Sequence, residues 1–213
     1  MLLNNNHGPL NNGYIDRIVE TINFSLSEHP RTMAIRVDLR LPYISDPNAH
    51  MDVDMPVYFF NIDRGVISRF FASLYSQIKY DLDVKRKEGK RVHECTMRYV
   101  WVREYSSGYK WHYHVLILLN KDTYGFLGSH RDFDNQDNLI GKIRKAWSSA
   151  LNGKYDECAS LVYIPENPIY YLNVKGDDYH DVYSKLVFRC SYMAKDETKP
   201  YGDGGRCFGC SQR

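Results

Sequence analysis

Apolar side chains that recur every three or four positions predict the helices of this chain. Residues 14–28 place Ile15, Ile18 and Ile22 on one side of a helix, because positions at this spacing share a face. Polar residues fill the opposite side of each such segment, which is typical of helices that pack on a sheet. The predicted helices are 14–28, 62–87, 137–151 and 181–195.

Alternating positions predict the strands. In residues 33–42, Ile35, Val37 and Leu39 alternate with charged side chains, which indicates a half-buried strand that Pro42 ends. Two β-rich runs joined by a short Gly-containing connection predict a hairpin. These runs are 94–105 and 111–119, with the connection Ser106-Ser107-Gly108. The remaining assignments are two short strands, 159–164 and 169–174, a loop, 43–61, and an irregular Gly-rich tail from residue 196.

The order of these elements, a helix followed by β-α-β-β-α-β-α, predicts the α+β class. A central antiparallel sheet with flanking helices satisfies that order economically. A split β-α-β topology of the ferredoxin-like or RRM-like kind fits it. In this prediction residues 1–30 form an N-terminal tail and helix, and residues 31–213 form one domain.

Composition narrows the class of protein without identifying a partner. The chain of 213 residues is 43% hydrophobic and 25% charged, which is the ordinary globular range. No apolar run approaches the ~20 residues of a membrane helix, and the start lacks a signal pattern. We therefore expect a cytoplasmic protein with no membrane partner and five reduced cysteines. A net charge of +2 neither indicates nor excludes nucleic acid.

Two histidines in the second hairpin strand, His112 and His114, are the clearest candidate functional residues. Residues i and i+2 of a strand point to the same side, so both imidazoles face one way and could share a divalent cation. On the preceding strand, Glu104 has the parity and the position to add a carboxylate. Such donors with open positions indicate Mg²⁺ or Mn²⁺ rather than a closed structural zinc site. The alternative is a solvent-facing histidine pair.

Tyr192 is the candidate nucleophile. It lies on the polar side of the predicted helix 181–195, with Lys195 as its neighbour at i+3. A phenolate can attack a phosphodiester and retain the product as a phosphotyrosine, and a nearby ammonium group stabilises the charges. A metal centre that polarises a phosphate complements such a tyrosine. The alternative is an ordinary exposed tyrosine, because the chain has 18 of them.

Four basic side chains are candidate DNA contacts: Arg36, Arg40, Lys185 and Arg189. The two strand arginines share a face with Asp38, so they either contact DNA across the sheet or form ion pairs. Lys185 and Arg189 lie on the polar side of the predicted helix 181–195, which carries Tyr192. The basic run 85–91 either follows a phosphate backbone or is a solvated helix end.

Cys207 and Cys210 form a CxxC pair in the Gly-rich tail. A zinc site usually needs a second pair of ligands at suitable spacing, and the sequence offers no paired pattern for it. The pair either binds zinc or packs as part of the tail, and the sequence leaves both open.

The two motifs resemble those of the HUH endonuclease superfamily, the relaxases and rolling-circle replication initiators. His112-Tyr113-His114 looks like the family's His-hydrophobic-His motif, and Tyr192-Met193-Ala194-Lys195 looks like its Tyr-x-x-Lys motif. Glu104 matches the third metal ligand that many initiators supply from the preceding strand. A closer resemblance, over about residues 30–213, is to the YagK/YfjJ-type proteins of prophages, which are related to filamentous-phage replication proteins.

The resemblance implies an HUH endonuclease-like domain over residues 31–213, with the histidines on central strands of an RRM-like sheet. It implies metal-dependent nicking and joining of single-stranded DNA through a 5′-phosphotyrosine, in rolling-circle-type replication of a phage, prophage or plasmid. No helicase segment follows the tyrosine helix, so a host helicase is an expected partner. The alternatives are a non-catalytic DNA-binding regulator or replication accessory protein with this fold, and a metal phosphodiesterase that activates water.

Overall fold

The alternating run after the first helix forms β1 (Arg31–Arg40), which pairs with three other strands of a six-stranded antiparallel sheet. The computed structural model describes residues 2–4, 6, 8–42, 60–106, 110–129 and 131–212. In chain order the elements are α1 (Asn12–Glu28), β1 (Arg31–Arg40), α2 (Val66–Lys87), β2 (Arg98–Ser106), β3 (Lys110–Asn120), α3 (Leu139–Leu151), α4 (Tyr155–Cys158), β4 (Val162–Tyr163), β5 (Ile169–Asn173), α5 (Tyr179–Ser191) and β6 (Phe208–Cys210).

The strand order is β4-β1-β3-β2-β6, with β5 also paired to β1. The segment from β1 to β4 is a β-α-β-β-α-β unit in which β1 and β3 are central neighbours. This is the ferredoxin-like arrangement, so the predicted α+β class and its antiparallel sheet are confirmed. One side of β1 is shared by two short strands, because β4 pairs with residues 38–39 and β5 with residues 31–35.

Helices cover both faces of the sheet, and each face has its own apolar core. Odd-numbered β1 residues such as Val37 pack against α2 and α3, around the fully buried Trp147. Even-numbered residues such as Ala34 pack against α1 and α5. The run 115–119 is buried on both sides, as expected for the middle of a three-layer structure. Each large apolar side chain buried here contributes about 1.5–3 kcal/mol.

Several element ends differ from the predicted ones for local reasons. The helix predicted from residue 62 begins at Val66, because the Asp63 carboxylate accepts from the Gly65 N–H and holds a turn there. The helix predicted over 181–195 ends at Ser191 and continues as a 3₁₀ turn, Tyr192–Ala194. The first half of the strand predicted at 159–164 is a 3₁₀ turn, Ala159–Leu161, and only Val162–Tyr163 pair as a strand. Of the predicted loop 43–61, residues 43–59 lie outside the described residues, as do 107–109 of the hairpin connection.

The tail is not irregular throughout, because β6 adds a strand to the outer edge of β2. That edge would otherwise expose unpaired backbone N–H and C=O groups. A side chain at Gly209 would place its Cβ 2.6 Å from the Trp101 indole, so the close pairing requires glycine there. Nearer the hairpin, the Tyr105 N–H donates to the Thr198 carbonyl. The Gly-rich composition obscured this strand in the sequence.

Candidate active site

The end of the sheet near the β2–β3 hairpin carries both histidines on the face that α1 and α5 cover. His112 and His114 have the same strand parity as the buried Leu116 and Leu118. Their Nε2 atoms lie 3.2 Å apart, and their rings are nearly perpendicular. The alternation in the sequence therefore brings two imidazole nitrogens to one point, as the i, i+2 rule predicts.

Glu104 completes a cluster of three donors. It lies opposite His112 in the β2–β3 register, and its Oε2 is 3.4 Å from the His114 Nε2. One donor atom from each of the three side chains lies within 4.8 Å of the others. Among the described residues, no other group of three or more histidine, cysteine or acidic side chains has this geometry. Two imidazoles and one carboxylate fit a divalent cation with open coordination positions.

Asp38 orients this cluster from the neighbouring strand. It lies opposite His114, and the His114 Nδ1 is 2.6 Å from its carboxylate. A carboxylate that holds Nδ1–H leaves Nε2 free to donate its lone pair to a metal. Burial would raise the pKa of Asp38, but the His114 hydrogen bond and nearby charge outweigh it, and the pKa lies below its usual value. The sequence showed Asp38 only as one charged residue of an alternating strand.

Two lysines that follow α5 in the chain, Lys195 and Lys199, bind the Glu104 carboxylate. Lys195 Nζ is 3.0 Å from Oε2, and Lys199 Nζ is 2.6 Å from Oε1. The Glu104 and Lys199 side chains are 1% and 0% exposed, so this is a buried ion pair. Burial would raise the pKa of Glu104, but His114 and the Lys199 ammonium hold it well below its usual range. Lys199 was not predictable from the sequence, because nothing in a Gly-rich tail marks a buried lysine.

Tyr192 meets the donor cluster through Lys195. The Lys195 Nζ donates to the Tyr192 hydroxyl over 2.5 Å, and the Tyr192 ring lies edge-on to His114, with centroids 5.6 Å apart. Backbone bonds to the N-terminal segment fix this turn, since the Asn11 N–H donates to the Ala194 carbonyl. The predicted Tyr-x-x-Lys neighbours are therefore adjacent, and the lysine contacts both the tyrosine and the metal-donor carboxylate.

The four candidate DNA contacts lie in different environments. Arg36 is 4% exposed and binds Asp38 and the Val115 carbonyl, which is the ion-pair alternative. Arg40 is exposed and lies over the Tyr163 ring. The other two lie along α5. Lys185 pairs with an acidic residue one helical turn away, and Arg189 donates to the Glu166 carbonyl.

The weaker sequence signals have ordinary structural contacts. In the basic run, Lys85, Arg86 and Lys90 each pair with an acidic neighbour, as a solvated helix end does. Cys207 is buried beside β6, and the Cys210 thiol accepts from Arg17. Within the described residues neither cysteine belongs to a group of three metal donors. Cys210 lies in the tail strand β6, and Cys207 directly precedes it.

The fold and the site define an α+β protein with a two-histidine, one-carboxylate cluster beside a lysine-bound tyrosine. A family model described as the YagK/YfjJ C-terminal domain matches residues 1–211. The uncharacterized protein YagK of Escherichia coli (strain K12) is 40% identical over 199 residues, 93% of this chain and 92% of YagK. The uncharacterized protein YfjJ of the same organism is 42% identical over 202 residues, 93% of each chain. The chain therefore belongs to the YagK/YfjJ family. No solved structure matches it.

No helix of the described ranges is long and apolar enough to cross a membrane.

The Asp38 contact leads to a first prediction. We expect Asp38→Asn to weaken Mn²⁺ binding about 10- to 100-fold, because loss of a carboxylate behind a metal-binding histidine has that effect. Isothermal titration of each protein with Mn²⁺ measures it. Asp181→Asn, in an exposed ion pair of α5, is the matched control and keeps the wild-type affinity. Equal affinities for Asp38→Asn and wild type would show that Asp38 does not orient a metal-binding histidine.

Proposed function

We propose that this protein is an HUH-type endonuclease of the cytoplasm, which nicks and joins single-stranded DNA with the help of a divalent cation. The observation that carries the proposal is the direct contact of Lys195 with both the Tyr192 hydroxyl and the Glu104 carboxylate. Residues far apart in the chain thereby bring a nucleophile and a donor cluster together. The buried strands beneath them provide the rigid support that precise catalytic geometry needs.

Glu104, His112 and His114 would hold the cation, which is Mg²⁺ or Mn²⁺ in this proposal. When bound, such an ion supplies positive charge that polarises the phosphate and offsets the charge of the transition state. The Asp38 carboxylate binds the His114 Nδ1, so that Nε2 can bind the cation. Arg36 forms an ion pair with Asp38. The proposal therefore gives the buried Arg36 a supporting role and no contact with DNA.

Tyr192 is the nucleophile of the proposed step. Its Oη attacks the phosphorus of a phosphodiester, the new P–Oη bond forms, and the bond from phosphorus to the 3′ oxygen breaks. The phenol proton passes through solvent to the leaving 3′ oxygen, so the products are a 5′-phosphotyrosine and a free 3′-hydroxyl. Attack by that hydroxyl on the phosphotyrosine reverses the step and joins the strand.

Lys195 stabilises this chemistry through its two contacts. Burial would lower its pKa, but the hydrogen bond to Tyr192 and the charge of Glu104 raise it above its usual value. The side chain is thus held as an ammonium that donates to the tyrosine oxygen. Such a donor favours the phenolate character of Oη during attack.

Formation of a covalent adduct tests the proposal. Purified protein is mixed with labelled single-stranded oligonucleotides from its own genetic element, with Mn²⁺ or EDTA, and is then denatured in SDS. We expect a labelled protein band that requires Mn²⁺ and that Tyr192→Phe abolishes. Tyr183→Phe is the matched control on α5, the helix before the Tyr192 turn; the Tyr183 hydroxyl donates to Asn23, and we expect this variant to keep the band.

Other outcomes identify the alternative functions. Tight binding that EDTA does not change, without any adduct, favours a DNA-binding regulator or replication accessory protein. Free cleavage products from Tyr192→Phe favour a phosphodiesterase that uses water. On the proposed function, the similarity to replication initiators suggests rolling-circle-type replication of a phage, prophage or plasmid, with a host helicase to unwind the duplex.

A further inference from the structure

An arginine and a tyrosine stack on the open side of the candidate site. The Arg40 Cζ lies 4.5 Å from the centroid of the Tyr163 ring, which is 44% exposed. Arg40 lies opposite His112 in the β1–β3 register, and Tyr163 lies opposite Asp38 in the β1–β4 register. Both side chains therefore belong to the face that carries the donor cluster.

Contacts with the apolar core on the opposite face of the sheet fix the position of this pair. The Trp147 indole N–H donates to the Arg40 carbonyl over 2.9 Å, which ties the end of β1 to the core of the other face. Val162, next to Tyr163, is buried in that same core. A strand of only two residues thus presents one aromatic ring at a defined place, about two strand spacings, or roughly 10 Å, from β3.

The opposite side of the donor cluster is closed by other side chains. Lys195 and Lys199 bind Glu104 and are almost completely buried, and Tyr192 contacts Lys195 and the His114 ring. Within the described residues, the sheet face therefore continues outward from the histidines toward Arg40 and Tyr163. A polymer whose phosphate lies at the donor cluster would pass over this pair.

We propose that the Arg40–Tyr163 pair is the stacking platform for one unpaired base of single-stranded DNA, next to the phosphate held at the donor cluster. The inference rests on the proposed function for the identity of the polymer. Unpaired bases stack on aromatic rings and on guanidinium planes, and every base offers a flat face for this contact. The platform contributes affinity without reading the base sequence.

A comparison of two oligomers of equal charge tests the platform. One is an oligothymidylate of about 16 nucleotides, and the other is the same sugar-phosphate chain without bases. Fluorescence anisotropy measures binding in EDTA, with Tyr192→Phe present in every protein so that no adduct forms. We expect Tyr163→Ala to weaken oligothymidylate binding about tenfold and to leave binding of the abasic oligomer unchanged. Arg40→Lys keeps the charge but loses the planar group, so it weakens mainly oligothymidylate binding.

Tyr171 provides the matched control. Lys121 lies over its ring at 4.6 Å, as Arg40 lies over Tyr163, but Tyr171 pairs with Met33 and faces the opposite side of the sheet. Tyr171→Ala is expected to bind both oligomers as the parent protein does. An equal loss for Tyr163→Ala and Tyr171→Ala, an equal loss on both oligomers, or no loss from Tyr163→Ala would overturn the platform.

The two proposals fail separately in these experiments. If oligothymidylate binding depends on Tyr163 but the wild-type protein, with Tyr192 intact, forms no adduct with Mn²⁺, the platform stands and the nicking activity is wrong. If the adduct forms and binding ignores Tyr163, the activity stands and the platform is wrong. Thermal unfolding of each variant, followed by circular dichroism, confirms that the folded state is compared throughout.

Discussion

The His114→Ala variant is expected to bind Mn²⁺ at least about 100-fold more weakly than the wild type and to form no metal-dependent adduct. The substitution removes one of three donors and leaves the partly buried Asp38 carboxylate without its imidazole partner. Changes behind a metal ligand already cost 10- to 100-fold, so loss of the ligand itself costs more. Isothermal titration with Mn²⁺ measures the affinity, and the SDS adduct assay measures the reaction.

His180→Ala is the control for this experiment. His180 is exposed on the first turn of α5 and contacts the Tyr179 ring rather than the donor cluster. We expect this variant to bind Mn²⁺ as the wild type does. Wild-type affinity in His114→Ala would show that the metal lies elsewhere, and a loss of affinity in both variants would indicate an effect without relation to the cluster.

Glu104→Gln is expected to lower the free energy of unfolding by about 3–5 kcal/mol in EDTA, because it leaves the buried Lys199 ammonium without an opposite charge. The glutamine keeps the shape of the side chain, so lost packing contributes little. Replacing both members of a buried ion pair by neutral groups is often close to neutral. We therefore expect the double variant Glu104→Gln, Lys199→Met to recover most of the lost stability. Urea unfolding of the four proteins measures the cycle.

The exposed pair of Lys185 and Asp181 provides the comparison. Both side chains are more than half exposed, so water screens their interaction, and Asp181→Asn leaves the unfolding free energy unchanged. If the effects of Glu104→Gln and Lys199→Met simply add, the two residues are not coupled and the ion pair does not account for the loss. If wild type and Glu104→Gln have the same free energy of unfolding in Mn²⁺, the metal rather than lysine is the dominant partner of the Glu104 side chain.

Features governed by local spacing were predictable from the sequence. The i, i+2 rule brought His112 and His114 together, and the i, i+3 rule did the same for Tyr192 and Lys195. The parity of Glu104 in the hairpin strand also sufficed, because the short connection restricts the register of β2 and β3. Each of these contacts lies within one element or one hairpin, so local spacing was enough to predict it.

Features that depend on long-range pairing were not predictable in this way. Asp38 contacts His114 only because β1 pairs with β3 in one particular register, which no local pattern specifies. Lys199 is buried although lysine is almost always exposed, and its partner lies 95 positions away in the chain. Tyr163 lies in a strand of two residues, which is too short for an alternating pattern.

The order in which the parts of the site occur along the chain has a consequence for synthesis on the ribosome. The donor residues lie on β2 and β3, whereas Tyr192, Lys195 and Lys199 all follow α5, and β6 is added to the sheet last. Because translation proceeds from the N-terminus, the histidines emerge long before the tyrosine. A nascent chain thus carries the metal donors without the nucleophile. On the proposed function, a polypeptide whose synthesis stops before Tyr192 has no nucleophile and cannot become trapped as a covalent DNA adduct.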